Sequence, residues 1–364
     1  MVKKVFIPIF CFVFILGGCI QTKTIEKIQI IESIGYDAAD DKKYELTLGV
    51  IMFSPQEKGS FTGKTISAAN FTGYGAVWNA ERELPKAVAS GKTLIGLFGE
   101  DLAKRGIGTS LDGIKRHPSI GRQVDFCIVE GEAKKLLDGK YEIMDQTTSR
   151  YIKDLITHSK KGNLPTSNFH EFMYAYYSKG QDAFMPMLKR HGENVQLSGL
   201  AFFQKDKYVD KIGAEKLFVF KMLYENMNRG SYAASFPDKD MYISMESLKS
   251  KVDYTITNGM THPNIKINVK MNALIDEVNS NIELLTEMDV KKFERLLGKD
   301  LEEKGLELIN QFREKGIDPL GIADRARSQT RGWELKKWQE LFSDAPVELN
   351  IKIDFLETGI SDHH

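Results

Sequence analysis

The sequence predicts a multidomain, mixed α/β protein of the α+β class, in which mixed and antiparallel sheets are packed by helices. The chain has 364 residues, which is more than the roughly 150 residues of a typical domain. In its first half, short apolar segments typical of strands alternate with helical segments. In its second half, two segments place an apolar residue at every second position, and a long amphipathic helix lies between them.

The region after residue 27 alternates between strands and helices, which predicts a mixed sheet. The predicted strands cover residues 28–34, 44–53, 64–71, 92–98 and 123–129. The predicted helices cover residues 76–89, 102–114, 132–137, 147–159 and 169–177. The first two strands flank an acidic turn at residues 37–41, which predicts a hairpin. A calcium loop at this turn would need Gly and Glu where Lys42 and Leu48 stand, so we interpret it as a solvated turn.

The pattern changes near residue 195, where we predict a domain boundary. It separates an N-terminal mixed α/β region, residues 28–195, which is one unit or two subdomains, from a C-terminal α/β domain, residues 196–360. The C-terminal segments are a hairpin over 197–212, a helix over 215–227, a loop over 231–239 and strands over 265–271 and 347–355. The clearest helix begins after Thr286, which forms a capping pattern with Asp289, and ends before Gly316. Its polar face mixes Glu with Lys, which favours packing on the sheet over binding to a membrane surface.

The first 18 residues have the pattern of a secretory signal peptide. Lys3 and Lys4 precede an uncharged run over residues 5–16. This run would form about 18 Å of helix, which is too short to cross a hydrocarbon core of about 30 Å. A buried helix at the start of the fold is the alternative interpretation, but paired lysines before an unbroken apolar run favour a signal peptide.

The end of this run resembles the lipobox of bacterial lipoproteins, in which small residues precede a cysteine that becomes acylated. The motif here is Leu16-Gly17-Gly18-Cys19. The resemblance implies that cleavage leaves Cys19 as the first residue, carrying a diacylglycerol and acyl chains such as palmitate, and that residues 19–27 are the anchor and spacer. Two acyl chains make a stable anchor, at about 0.8 kcal/mol per buried methylene. The alternative is that Cys19 is an ordinary thiol.

Composition and motifs favour neither nucleic-acid binding nor catalysis. Lys plus Arg and Asp plus Glu each number 50, so no basic excess points to a phosphate backbone as partner. The Gly-Lys-Thr sequences at 63–65 and 91–93 lack the upstream glycine of a phosphate-binding loop. The spacings of a dinucleotide fingerprint, a nucleophile elbow and a zinc helix are also missing from the sequence. We therefore predict no catalytic residue, no cofactor site and no metal site.

Two further features have both a structural and a functional interpretation. Cys127 lies in an apolar segment and is interpreted as a buried small hydrophobe, with a thiolate paired to a histidine as the alternative. Trp333, Trp338 and Phe342 are expected to close a core near the end of the chain, with a docking patch or a ligand platform as the alternative.

Short motifs occur in a characteristic order along nearly the whole chain. Besides the lipobox they are Ile34-Gly35-Tyr36-Asp37, Gly99-Glu100-Asp101-Leu102-Ala103-Lys104-Arg105-Gly106-Ile107, Gly199-Leu200-Ala201-Phe202-Phe203 with Asp206-Lys207, Asp318-Pro319-Leu320-Gly321, and the series Trp333, Trp338, Phe342, 347–353 and Thr358-Gly359. In this order the chain resembles the Ger(x)C family, the lipoprotein C subunits of spore germinant receptors. It departs from the family pattern at Ile20-Gln21, where members often carry Trp-Asp, and in a shortened segment before Gly99.

The resemblance implies a non-enzymatic ectodomain of mixed α/β domains, tethered to the outer face of the spore inner membrane. It also implies that the subunit works beside the integral membrane A and B subunits of a nutrient germinant receptor, supporting assembly or signal transmission. Two other protein classes share parts of the pattern. A solute-binding lipoprotein of a membrane transporter would show two similar lobes with a cleft. A surface hydrolase would show a clustered nucleophile, base and oxyanion donors.

Overall fold

The computed structural model describes residues 28–40, 43–53, 61–117, 120–141, 146–279 and 286–358. The predicted signal peptide, with Leu16, Gly17 and Gly18, lies outside the described residues. Cys19 and the predicted spacer as far as residue 27 also lie outside them.

The secondary structure of the described ranges consists of the following elements. The strands are β1 (Ile28–Ala38), β2 (Tyr44–Phe53), β3 (Phe61–Asn70), β4 (Ala87–Ala89), β5 (Ile95–Gly99), β6 (Asp125–Val129), β7 (Phe184–His191), β8 (Asn194–Gln204), β9 (Lys207–Gly213), β10 (Gly230–Phe236), β11 (Met241–Thr257), β12 (Asn264–Asn279) and β13 (Val347–Thr358). The helices are α1 (Gly73–Glu81), α2 (Glu100–Arg105), α3 (Gly108–Arg116), α4 (Ala133–Leu137), α5 (Thr148–Lys161), α6 (Phe169–Tyr177), α7 (Leu217–Tyr224), α8 (Glu287–Lys315), α9 (Ile322–Gln329) and α10 (Leu335–Phe342).

The larger sheet has the strand order β3-β2-β1-β5-β6-β7-β8-β9, and the short β4 lies beside the start of β1. The central strands β1, β5, β6 and β7 run parallel. Antiparallel hairpins extend the sheet on both sides, through β2 and β3 at one end and through β8 and β9 at the other. The prediction of a mixed sheet is therefore confirmed, and so are the hairpins predicted over residues 28–53 and 197–212.

The smaller sheet has the strand order β10-β11-β12-β13, with β12 and β13 parallel and the other pairs antiparallel. The apolar positions of its two predicted strands face inward: Ile267 and Ile353, for example, are buried. Helix α8 packs on this sheet with a buried apolar stripe. Thr286 and Asp289 form the predicted capping box, and Gly316 ends the helix in the left-handed conformation. The prediction that this helix packs on the sheet is confirmed.

Helix α8 also covers the outer edge of the smaller sheet. No described strand pairs with the outer side of β13, so its outward N–H groups need other acceptors. Glu302 accepts a hydrogen bond from the Ile351 N–H at 2.8 Å, and Glu294 accepts one from the Phe355 N–H at 3.1 Å. Gly298 permits this close approach, because a Cβ there would lie 3.1 Å from the Ile351 carbonyl oxygen. The helix carboxylates therefore occupy an edge that would otherwise be open to pairing with another chain.

Buried side chains form two cores, one on each face of the larger sheet. One core packs that sheet against α1, α2, α3 and α6. The other lies between the larger and the smaller sheet and includes side chains of α4, α5, α7 and α8. The predicted boundary at residue 195 falls within β8, and the larger sheet continues to Gly213. The division into residues 28–195 and 196–360 stays a prediction, because both regions contribute to this sheet and to the shared core.

Three segments differ from the sequence prediction, each for a local reason. The helix predicted over residues 76–89 ends at Glu81, before Pro85, which disfavours a helix at the residue preceding it, and residues 87–89 form β4. The helix predicted over 102–114 is divided into α2 and α3 at Gly106, whose φ of +123° suits glycine. The loop predicted over 231–239 is strand β10 as far as Phe236.

Replacing Glu302 with Ala should destabilise the fold, because the partly buried Ile351 N–H would lose its acceptor. We expect the free energy of unfolding to fall by about 1–2 kcal/mol, measured by urea unfolding of the purified chain. The control is Glu303→Ala, which removes an exposed carboxylate from the next position of the same helix and should change stability by less than about 0.5 kcal/mol. Equal unfolding midpoints for the two variants would contradict the role given to Glu302.

Candidate functional site

The candidate functional site is the junction between the two sheets, and helix α7 lies at its centre. The helix reads LFVFKMLY, and its first seven residues are all buried. The Phe220 ring lies 5.1 Å from Phe184 and 5.4 Å from Phe202 of the larger sheet, between ring centroids. The same ring lies 6.0 Å from Phe312 of α8, which packs on the smaller sheet. One aromatic cluster therefore joins the two sheets through α7.

Lys221 is the one charged residue of this buried helix. Its ammonium donates hydrogen bonds to the carbonyl oxygens of Lys160, at 3.0 Å, and of Gly162. Both carbonyls lie at the C-terminal end of α5, where a positive charge is favourable. Burial lowers the pKa of Lys221, and the nearby Glu225 carboxylate opposes this effect. The ammonium thus fixes α7 against the end of α5.

A second contact across the junction joins the loop after α6 to the segment before α9. The Asp318 N–H donates to the Asp182 carboxylate at 2.8 Å, and the Asp182 N–H donates to the Asp318 carbonyl oxygen at 3.0 Å. The Asp324 N–H donates to the Gly180 carbonyl oxygen at 3.0 Å, and the Ser178 hydroxyl donates to the Asp324 carboxylate. These reciprocal hydrogen bonds hold the two loops in a fixed register.

The Asp318 carboxylate is partly buried at this contact and caps the first turn of helix α9. It accepts hydrogen bonds from the N–H groups of Ile322, at 3.0 Å, and Ala323, at 2.7 Å. Burial raises the pKa of Asp318 to about 7, and the neighbouring Asp182 adds to the rise, while the two N–H donors and Arg325 oppose it. Burial also raises the pKa of Asp182. The charge of this contact therefore changes with pH near neutrality.

The motifs at residues 34–37 and 99–107 meet at the end of β1. Asp37 accepts hydrogen bonds from the N–H groups of Ala133, at 2.7 Å, and Lys134, at 2.8 Å, so it caps α4. Gly99 lies against this carboxylate, where a Cβ would come within 2.1 Å of Asp37 Oδ1. The interpretation of residues 37–41 as a solvated turn is wrong for Asp37, because a helix N-terminus covers its carboxylate and buries it.

The motif at residues 99–107 also reaches the turn between β8 and β9. The Ile107 N–H donates to the carbonyl oxygen of Asp206 at 2.9 Å, and the Gly108 N–H donates to its carboxylate at 3.2 Å. Residues about 100 positions apart in the sequence are thereby joined at the start of α3. These motif residues therefore form hydrogen bonds between segments that are distant in the sequence.

The two features left open by the sequence both lie in the cores. Cys127 is fully buried, and burial raises the pKa of its thiol, which disfavours the thiolate that a nucleophile needs. Trp338 is buried and stacks on Phe342, with ring centroids 5.7 Å apart, and Trp333 packs beside them against the same core. The structural interpretation is confirmed for Cys127 and for this aromatic group.

The described part of the junction offers no metal-binding group, and the cavity between α6 and α7 is too small for a solute. Within the described ranges, no group of His, Cys, Asp and Glu side chains is arranged to hold a metal ion. The cavity between α6 and α7 has a volume of about 10 Å³, roughly the space that one water molecule requires. The two sheets differ in strand number and order, unlike the similar lobes expected of a solute-binding protein.

Among the helices in the described part of the chain, none is long and apolar enough to cross a bilayer.

Sequence reasoning did not identify Lys221 or Asp182 as residues of this junction. For Lys221 a signal was present, because a lysine within an apolar helix must find hydrogen-bond acceptors when it is buried. For Asp182 there was none, because its partner Asp318 lies 136 positions away.

Comparison with known proteins gives matches along nearly the whole chain. The family described as spore germination protein N-terminal domain matches residues 21–190, and the family described as spore germination B3/GerAC like, C-terminal, matches residues 198–359. Spore germination protein GerQC of Bacillus cereus is 26% identical over 95% of this chain and 96% of its own length. Spore germination protein B3 of Bacillus subtilis strain 168 is 21% identical over 94% and 95%. The crystal structure of the GerBC protein has the same fold, with a TM-score of 0.60 and 17% identity over 89% of this chain and 97% of that one.

Replacing Asp318 with Asn should remove part of the pH dependence of stability. The folded chain holds the Asp318 proton up to about pH 7, whereas an unfolded aspartate loses it near pH 3.9. Between these values the folded state binds more protons, so the free energy of unfolding falls as the pH rises from about 4 to about 7. We expect this fall to be about 2–4 kcal/mol smaller in D318N than in the wild type.

Urea unfolding across this pH range measures the difference. Asp154→Asn, which changes an exposed aspartate of α5, is the matched control and should keep the wild-type pH dependence. If D318N followed the wild-type curve, the burial of an ionisable Asp318 would not be the source of the effect.

Proposed function

We propose, on the premise that this chain belongs to the Ger(x)C family of spore germinant-receptor C subunits, that it is the lipid-anchored, non-enzymatic C subunit of a nutrient receptor. In this role it supports receptor assembly or signal transmission during germination. The observation that carries the proposal is the extent of the similarity, because two consecutive germination-protein domains match residues 21–190 and 198–359. A full-length relative, GerQC, aligns over 95% of the chain.

The anchor in this proposal is the Cys19 thiol. The lipobox Leu16-Gly17-Gly18-Cys19 supports it, as do the two lysines and the apolar run that come before. Two acyl chains on one cysteine would hold the folded body at the outer face of the spore inner membrane. The body would begin at Ile28, nine positions after the acylated residue.

An anchored body acts through weak contacts, because confinement near the membrane raises its effective concentration beside membrane-embedded partners. We infer that these partners are the integral membrane A and B subunits of the receptor. The closed junction supports a role as a single rigid body in such a complex, since α7 and the Asp182–Asp318 contact tie its two sheets together. A non-enzymatic role agrees with the burial of the Cys127 thiol.

Replacing Cys19 with Ala should release the protein from the membrane, because the thiol that accepts the lipid is lost. Fractionation of spore membranes in high salt, which screens charge-based contacts, followed by immunoblotting measures the effect, and we expect most of the protein to leave the membrane fraction. Cys127→Ala keeps the lipobox and should stay membrane-bound, which makes it the matched control. Unchanged membrane retention of the Cys19 variant would contradict the anchor.

Purification of the intact protein from dormant-spore membranes should recover two multi-pass receptor subunits. Mass spectrometry of the co-purifying proteins makes this measurement, with an untagged strain as control. Recovery of a transporter permease and an ATPase in their place would overturn the proposal in favour of a solute-binding lipoprotein.

A further inference from the structure

A shallow basic cleft lies at the edge of the larger sheet where its parallel strands begin. The cleft has a volume of about 350 Å³ and is bordered by α5, by the start of β6 and by the residue before α6. Its charged and hydroxyl-bearing side chains are Asp125, Lys153, Thr157, Lys160 and Lys161. All five belong to α5 or to the first position of β6.

The cleft is positively charged because it contains three lysines and one carboxylate. Asp125 is buried, and its two oxygens pair with the ammonium groups of Lys153, at 2.6 Å, and Lys160. Lys161 is exposed, and it forms no ion pair with another described residue. The carboxylate thus holds two ammonium groups in place while the cleft keeps a net charge of about +2. Such a site suits an anion with several oxygens, and phosphate is the common case.

The position of the cleft brings it close to the start of the folded chain. In the sheet register, Asp125 pairs with Ile95, which pairs with Ser33 of β1. Ile28 lies five positions before Ser33, which is about 17 Å along the strand, and two strand spacings amount to about 10 Å. The nine positions from Cys19 to Ile28 span at most about 30 Å. A tether of this length exceeds the offset, so the cleft can reach the surface that holds the anchor.

We propose that this cleft binds the phosphate groups of anionic lipids and so holds this edge of the larger sheet against the membrane. The proposal rests on the proposed anchoring through Cys19, and it adds an orientation, since the anchor alone leaves the body free to rotate. Each lysine near an anionic bilayer strengthens binding about fivefold, and the effect weakens with salt because the charges are screened within about 10 Å.

Vesicle binding of the chain from residue 20 onward tests the cleft separately from the anchor. This chain keeps every described residue and lacks the acylated cysteine. Vesicles of phosphatidylcholine alone are compared with vesicles that also contain phosphatidylglycerol, by co-flotation at low and high salt. We expect binding to the phosphatidylglycerol vesicles, weakening as salt is raised, and at least tenfold weaker binding to phosphatidylcholine, as expected for more than one lysine contact.

Two matched variants place the same charge inside and outside the cleft. Thr157→Glu adds a carboxylate at an exposed position of α5, where the hydroxyl donates only to the Lys153 carbonyl oxygen. Ser328→Glu does the same on α9, where the hydroxyl donates to the Arg325 carbonyl oxygen. We expect Thr157→Glu to weaken binding about fivefold and Ser328→Glu to leave it within twofold. Lys161→Gln, which keeps both ion pairs of Asp125, should also weaken binding about fivefold.

Four outcomes would overturn the proposal. Equal binding by the Thr157 and Ser328 variants would place the membrane contact elsewhere, as would wild-type binding by Lys161→Gln. Equal binding to both kinds of vesicle would remove the role of anionic lipid. Binding of inorganic phosphate without binding to phosphatidylglycerol vesicles would identify free phosphate as the ligand. None of these outcomes affects the anchor, which fails only if the Cys19 variant stays on the membrane.

Discussion

The architecture depends on one constraint, which is that helix α7 is buried on every side over its first seven residues. A helix of this kind has no face for solvent and must be covered all round. The larger sheet covers it from one side, and α8 with the smaller sheet covers it from the other. Lys221 restricts the position of α7 further, because a buried ammonium needs hydrogen-bond acceptors. It finds them in the carbonyl oxygens at the C-terminal end of α5. Once these contacts form, the relative position of the two sheets is fixed.

The short motifs that carry the family resemblance support this arrangement at a distance from α7. Asp37 caps α4 beside Gly99, and Asp206 holds the start of α3. Asp318 begins α9 and pairs its backbone with that of Asp182. Each motif residue therefore joins segments that are remote in the sequence, in contacts that close the body.

The proposed anchor and the proposed lipid site in the basic cleft would give the body two membrane contacts at the same edge of the larger sheet. A single tether limits only the distance of the body from the bilayer, whereas a second contact would also set its orientation. An oriented body would present one surface to the proposed membrane-embedded partners at high effective concentration. The charge at the Asp182–Asp318 contact changes near neutral pH. The stability of the junction therefore depends on the pH.

Much of the secondary structure follows from local pattern. The sequence alone determined the capped helix α8, the alternating strands β12 and β13 and the first hairpin, because periodicity, caps and turns depend on neighbouring residues. Strands β7 and β11 were not predicted, since β11 buries Ser247 and Ser250 among its inward positions and shows no clean alternation. Only the tertiary structure decided that Lys221 contacts α5, that Asp182 contacts Asp318 and that Lys153 and Lys160 share Asp125. These contacts join residues far apart in the chain, and their energies depend on burial, which no local pattern encodes.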